Sequence, residues 1–336
     1  MNTNTNTNTN SIPNTKLGEI YFPKLVMGIH PFDGVSYKSS EQDRINLKMF
    51  GNVTSVSKVI KFAVEKHNFS VVQVDHMNPR LNRMHLQAIW ETELSLKKSL
   101  GLLAYILIPI TLNGKLTSYS EKAYSTLYSN DLSIAGCKYN NKIFEDEILR
   151  YNLGGTYNNL ITPEKVSPFT QKEIENLSID YSILEQYLGF YAGCEILVAD
   201  PGAEIDLLAA TGRFDLIREY IGFLKKRFKT VITSVHHAGS TIPLLEENGI
   251  EIDGYLTPIN ELGMFMFPTR DIAIDAIKQT NLPVIAMKAM AGGRYLGEKA
   301  FEYVFNNVGV DSCMFGLGTC EQVDETSLAA KSVLGI

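Results

Sequence analysis

VITSVHHAGSTIPLLEENGIEIDGYLTPIN, residues 231–260, sets two short apolar runs on either side of one amphipathic segment. It reads as a strand from Thr230 to His236, a helix from Thr241 to Asn248 and a second strand from Gly254 to Asn260. Strands separated by helices build a parallel sheet with helices packed on it. The same alternation extends in both directions from this unit. Toward the N-terminus, strands are predicted at Lys24–His30, Ser70–His76, Leu102–Thr111 and Glu195–Asp200. Toward the C-terminus they follow at Pro283–Lys288 and Ser312–Leu317. Helices are predicted at Val53–Lys66, Met84–Ser99, Gln171–Tyr191, Arg213–Phe228, Thr269–Gln279, Gly297–Asn306 and Cys320–Val333. Eight strand–helix pairs in one chain point to a (β/α)8 TIM barrel, with a doubly wound sheet as the alternative.

Length and composition agree with one such domain. The chain has 336 residues, 45% of them hydrophobic and 20% charged, with 31 Lys and Arg against 37 Asp and Glu for a net charge of -6. This balance excludes a mainly disordered chain and offers no basic footprint for nucleic acid or an anionic membrane. The longest apolar run, Leu100 to Leu112, is shorter than the roughly 20 residues that span a bilayer and reads as one buried strand. The N-terminus lacks the features of a secretory signal, so a cytoplasmic location is expected. Four scattered cysteines, Cys137, Cys194, Cys313 and Cys320, form no CxxC pair and read as reduced thiols. The Asn/Thr repeat near the start places a disordered tail over 1–15 and a single barrel domain over 16–336.

One connection is long. Residues 112–169 are rich in Asn, Tyr, Ser and Gly. An insertion after the third strand leaves from the C-terminal face of a barrel, so it reads as a lid, with Tyr139, Tyr151 and Tyr157 available to close over a ligand.

Four passages resemble the aldo/keto reductase superfamily: the quoted 231–260 stretch, PVIAMKAMAGGR on the seventh strand, DSCMFGLGTCEQVDETSLAA at the end, and TKLGEIYFPKLVMGIHPFDG at the beginning. The resemblance implies the barrel, and it implies carbonyl reduction with NAD(P)H through an Asp, Tyr, Lys and His at the strand ends. Asp75 matches the Asp position. HMNPRLNRM supplies no Tyr after it, IPITLN no Lys, and ILVADPGAE places Asp200 near the expected His. Three of the four roles therefore lack a matching residue. Gly316 and Gly318 stand in the nucleotide-phosphate region without a basic neighbour to favour a 2′-phosphate, and Arg294 in AGGR is placed to bind an anionic group.

Strand parity gives its own inventory. In SVVQVDH the valines suit the helix side, which turns Gln73 and Asp75 inward; parity likewise groups His30 with Gly28, His236 with Ser234 and Lys288 with Ala286. Asp33, His76, Asp200, Glu204, His237, Asn260 and Glu261 lie just beyond. Four of the six histidines thus fall on one rim. His30, Asp75, Asp200 and His236 are a candidate set for a divalent metal, zinc, iron or manganese. The alternative is a polar pocket in which Asp75, Lys288, His76 and His237 do acid/base work, and the absence of any metal motif favours it. Lys288, among Ala, Met and Ile, is either an amine able to form a Schiff base or a cation paired with Asp75 or Asp200; the ion pair is the preferred reading. His67 and His85 fall at or within helices and read as surface or helix-packing residues.

The expectation from sequence is therefore an enzyme for a small polar metabolite, doing acid/base or metal-dependent chemistry of the lyase, hydrolase, isomerase or dehydratase kind. An NAD(P)H-dependent carbonyl reductase is the alternative, and a ligand-binding pseudoenzyme a third. Oligomerisation is left open.

Overall fold

A computed structural model describes residues 11–336. The expected tail falls mostly outside that range, but its last residues do not: Asn14–Leu17 pairs antiparallel with Ile20–Pro23. The eight expected barrel strands are all present as β1 (Leu25–Gly28), β2 (Val71–Val74), β3 (Gly101–Tyr105), β4 (Ile196–Asp200), β5 (Thr233–Ser234), β6 (Tyr255–Pro258), β7 (Val284–Met287) and β8 (Ser312–Gly316). They pair in parallel in the order β5-β6-β7-β8-β1-β2-β3-β4. A parallel bridge from Ala199 to Val231 joins β4 to the chain entering β5 and closes the (β/α)8 barrel.

Alternation along the strands builds two apolar layers. Val26, Val71, Leu103, Val198, Leu256, Ile285 and Met314 fill the barrel interior together with Leu17 and Phe22, so the N-terminal hairpin plugs its floor. Their neighbours Leu25, Met27, Val72, Val74 and Ala286 face the outer helices. The helix Val53–His67 shows how that layer forms. The Asn52 side chain accepts from Ser55 N, Asn68 turns left-handed at the end, and Val56, Val59, Ile60, Ala63 and Val64 make one buried stripe. Each such fully buried side chain contributes about 1.5–3 kcal/mol of transfer free energy.

Two expectations are corrected. The strand predicted over Leu102–Thr111 stops at Tyr105, and Ile110–Leu112 pairs antiparallel with Lys115–Leu116 and Leu177–Ile179 in a separate small sheet. The last backbone bond of this strand to the barrel is from the Ile106 amide to the Asp200 carbonyl, and Pro109, with no N–H to continue a ladder, follows before the small sheet begins. The helix predicted over Gln171–Tyr191 is likewise two short helices, Gln171–Glu175 and Tyr181–Phe190, because Asp180 caps the second by accepting from the Ser182 and Ile183 amides. Among the described residues no helix is long and apolar enough to cross a membrane.

The insertion is helical, with Glu121–Ala135, Cys137–Glu145 and Glu147–Asn152 as its main elements. It is tied to the C-terminal end of the barrel at four points. Asp131 meets His237 after β5, Asp146 accepts from the Phe265 amide after β6, Glu147 pairs with Arg294 after β7, and Tyr151 donates to Asp43 after β1. These ties place the insertion at the C-terminal end of the barrel.

Candidate active site

The cleft at this mouth lies over β7, β8 and β1, encloses about 370 Å³, and is lined by His30, Tyr37, Gln73, Lys288, Gly316 and Gly318 among others. That volume is in the range of small-molecule sites. Two of its residues arrive by backbone conformations that parity does not foresee. Met287 belongs to the barrel interior and Ala286 to the outer layer, so parity alone would send Lys288 outward. The strand ends at Met287, however, and Lys288 takes φ 57°, a left-handed turn that brings its side chain to the cleft. Tyr37, in the loop after β1, also has φ 57°, and Phe265, after β6, has φ 59°. These three strained residues touch: the Lys288 ammonium lies 5.0 Å from the centre of the Tyr37 ring and 5.2 Å from that of Phe265. Left-handed non-glycine backbone costs energy and persists where surrounding structure enforces it, commonly at functional sites.

The AGGR turn is what admits Tyr37. A Cβ on Gly292 would stand 2.8 Å from the Tyr37 Cβ, and one on Gly293 would stand 2.5 Å from Lys38 Cε. Arg294 ties the same loop down, donating to the carbonyls of Tyr37 and Ala291 and pairing with Glu147. The expectation that Arg294 binds an anion is therefore corrected, since its guanidinium is committed within the protein.

Around Tyr37 the groups are arranged in a chain. Its hydroxyl lies 2.6 Å from His30 Nδ1. Burial and then the Lys288 charge push the His30 pKa down to about 4, so this imidazole is neutral at neutral pH. Burial raises the Tyr37 pKa, helped by Tyr151, Asp33 and Asp75, which keeps the phenol protonated. Burial and the neighbouring Asp75 lift Asp33 to about 8 against the Asn82 hydrogen bond, and burial lifts Asp75 as well. Lys288 is pulled down to about 8 by burial, with Asp146 opposing. His236 is held well below its usual value by burial and by Lys288, His237 and His30.

Of the residues chosen from sequence, His30, Lys288, Gly316 and Gly318 line this cleft, and Asp75 lies close enough to shift Tyr37. The preferred pairing of Lys288 with Asp75 or Asp200 is overturned: among the described residues no carboxylate lies within 4.0 Å of the Lys288 amine, which contacts Met287 Sδ at 3.8 Å. The metal set does not assemble either. Asp200 is committed to the Gly202 and Ser234 amides and to the Ser234 hydroxyl, and His30 to Tyr37. No group of three His, Cys, Asp or Glu among the described residues is placed to hold a metal ion. His76 stacks on Tyr187 at 4.1 Å and accepts from the Leu107 amide, outside the cleft. His237 Nδ1 is bound to Asp131 at 2.6 Å. His67 and His85 are buried in helices, the packing alternative of the two expected.

Tyr37 is the residue the sequence reading missed. Parity arguments stop where strands stop, and the only available signal was a polar aromatic between HPFDG and the following helix.

Gln73 supplies a sign of an absent occupant. It is buried at 7% exposure, lines the cleft, and its Oε1 has no hydrogen-bond partner. An orphaned acceptor of this kind costs about 1–3 kcal/mol unless a ligand or water completes it. At the other end of the cleft, Gly318 and Thr319 open the helix Cys320–Leu334, whose N-terminus is closed by a capping box: the Thr319 hydroxyl accepts from the Gln322 amide and the Gln322 side chain accepts from the Thr319 amide.

No family model and no curated protein matches the sequence. Solved structures do. Two from Pseudomonas aeruginosa, each assigned as an aldo-keto reductase, align with 96% and 98% of this chain and with 95% and 99% of their own lengths. Both have TM-scores of 0.52, at 12% and 10% identity. The chain thus has the aldo-keto reductase fold, a likeness of architecture that carries no residue-by-residue correspondence at this identity.

Proposed function

We propose that this chain is an enzyme that reduces a carbonyl compound with a nicotinamide nucleotide held in the cleft over β7, β8 and β1, with Tyr37 as proton donor. The observation that carries this reading is the Tyr37–His30–Lys288 cluster on the cleft wall. It provides a phenol, an imidazole and an amine in contact, on a barrel whose own strand ends lack the Tyr, Lys and His the family resemblance called for. The fold likeness favours reduction over the lyase, hydrolase or metal-dependent chemistry expected from sequence.

The cleft suits the cofactor on one count: Gln73 Oε1 can accept from a carboxamide. When bound, the nucleotide supplies hydride to the carbonyl carbon. The protein handles the proton. With its proton on Nδ1, neutral His30 donates to the Tyr37 oxygen and leaves the Tyr37 O–H free to donate to the carbonyl oxygen. The phenolate formed keeps the His30 hydrogen bond and faces the Lys288 ammonium, both of which lower its energy. Tyr151, whose ring centre is 5.8 Å from that of Tyr37, brings the insertion against the same donor, consistent with a lid that excludes water.

The test is direct. NADH and NADPH are titrated by fluorescence, and aldehyde-dependent oxidation of the bound nucleotide is measured for the wild type and Tyr37→Phe. The variant should bind nucleotide within about threefold of wild type and lose turnover by at least about a hundredfold. Absence of binding by either nucleotide, or near-normal turnover by Tyr37→Phe, overturns the proposal.

A further inference from the structure

Lys288 does not behave like a lysine held for its charge. It follows β7 on a left-handed residue, reaches the cleft, and sits between the faces of Tyr37 and Phe265 with the Met287 thioether sulfur 3.8 Å from its amine. The titratable groups facing it are His30 and Tyr37 from the β1 side, His236 after β5 and Asp146 from the insertion. Two of these are histidines held neutral, one is a protonated phenol, and the single carboxylate stands beyond ion-pair distance. Cation–π contacts of this kind contribute about 0.5–2 kcal/mol, which does not replace the lost hydration of an ammonium. The amine is therefore readily deprotonated. With its pKa pulled to about 8, roughly a quarter of the chains carry the free amine at pH 7.5, against about one in a thousand for an ordinary lysine.

The geometry points to a second chemical capability of the cleft: the Lys288 amine condenses with an aldehyde or ketone that enters it and forms a covalent imine. The amine lone pair attacks the carbonyl carbon, forming the C–N bond, while the C=O π pair moves to oxygen, which takes a proton. The nitrogen loses one proton to give the carbinolamine, its lone pair then forms the C=N bond as the oxygen, protonated a second time, departs as water, and the iminium nitrogen gives up its remaining proton. Amine plus carbonyl gives imine plus water, with no oxidant or reductant required. Tyr37, with His30 behind it, stands beside the amine to deliver protons to the departing oxygen. This inference does not depend on a nucleotide binding in the cleft.

The experiment is reductive trapping on the full chain. The protein is incubated with butanal and sodium cyanoborohydride at pH 7.5 without nucleotide, and lysine peptides are followed by mass spectrometry. A population advantage of about 200-fold in free amine, reduced by the lower nucleophilicity of a less basic nitrogen, should leave Lys288 alkylated at least about tenfold faster than exposed lysines such as Lys225 and Lys278. Its rate should rise with pH and level off above about pH 8. Labelling spread evenly over exposed lysines, or an unlabelled Lys288, overturns the inference. Because nucleotide is absent, neither outcome depends on the reductase reading, which the fluorescence titration decides separately.

Discussion

Replacing Asp131 with Asn tests how the insertion is held over the mouth. Asp131 is fully buried on Glu121–Ala135 and accepts from His237 Nδ1 at 2.6 Å and from the Ser240 hydroxyl at 3.2 Å. Burial pulls the His237 pKa down, and the Asp131 carboxylate, by charge and hydrogen bond, more than offsets this, so the net shift is upward. The imidazole gains its proton in the fold, so the stabilisation is fully present below the unfolded value near 6.5 and is lost as pH rises through the higher folded value. At pH 6 Asp131→Asn leaves a cation, 12% exposed, without its anion. A charged hydrogen bond of this kind is worth about 1.5–3 kcal/mol, and breaking a buried pair costs up to about 5, so a loss of about 3 kcal/mol is expected. Unfolding entropy for a chain of this length is about 0.7 kcal/mol/K, which converts that loss to a Tm drop of about 4 °C. Once pH has risen through the folded value the imidazole is neutral in both states, and the loss should fall to about 1 kcal/mol. Thermal scans of both proteins at pH 6 and 9, at one scan rate, decide it. Equal Tm losses at the two pH values would refute the claim that a charged His237 clasps the insertion.

Other perturbations have equally definite signs. Asp33→Asn should raise Tm, and more at pH 8 than at pH 5, because a carboxyl whose folded pKa is lifted to about 8 loses stability as pH climbs away from its unfolded value; a gain independent of pH would argue against this burial penalty. Lys288→Met should move the His30 and His236 titrations upward in imidazole NMR, since its charge helps hold both down; unmoved resonances would separate Lys288 from these rings. Gly292→Ala should cut turnover through Tyr37, because the new methyl meets Tyr37 Cβ at 2.8 Å on a backbone at φ 63°; unchanged kcat and Tm would mean that the loop relaxes freely. Iodoacetamide at pH 8 should alkylate exposed Cys137 and spare buried Cys313, whose thiol burial pushes up to about 12; modification of Cys313 in the folded chain would contradict its placement.

The barrel was legible because its strands are written twice, once as apolar runs and once as the helical patterns between them. Each β-strand is covered on both faces, so the runs at 25–28, 255–258 and 284–287 are continuous, and polar turns bound them. The errors lie where a local side chain overrides pattern. Pro109 lies inside an apolar run, Leu100 to Leu112, that reads as one strand but is divided between the barrel and the small sheet, and Asp180 starts a new helix inside one that looks uninterrupted. The site was legible only in part, for a related reason. Gln73 and Asp75 stand on a strand and obey its alternation. Tyr37 and Phe265 stand on loops, and Lys288 reaches the cleft because its backbone breaks the alternation that had been used to place it.

That break bears on how such a site can arise on this barrel. A residue delivered by strand parity is fixed by the whole ladder, whereas Tyr37 and Lys288 are delivered by single left-handed residues held in place by a few contacts. Gly292 and Gly293 clear room for Tyr37 and Lys38, and Arg294 binds the Tyr37 carbonyl and reaches across to Glu147 of the insertion. The AGGR turn and the insertion thus both bear on Tyr37: one makes the space for it, and the other packs against it. A chain lacking the Tyr and Lys that the family resemblance places after strands 2 and 3 therefore still presents a phenol and an amine at its mouth, carried instead by the loops of strands 1 and 7. The separate contributions are measurable as a coupling. If Arg294 positions Tyr37 through the Glu147 contact, Arg294→Met and Glu147→Gln should each lower kcat, and the double variant should be no worse than the worse single one. Additive losses would mean that turn and insertion act on the site independently.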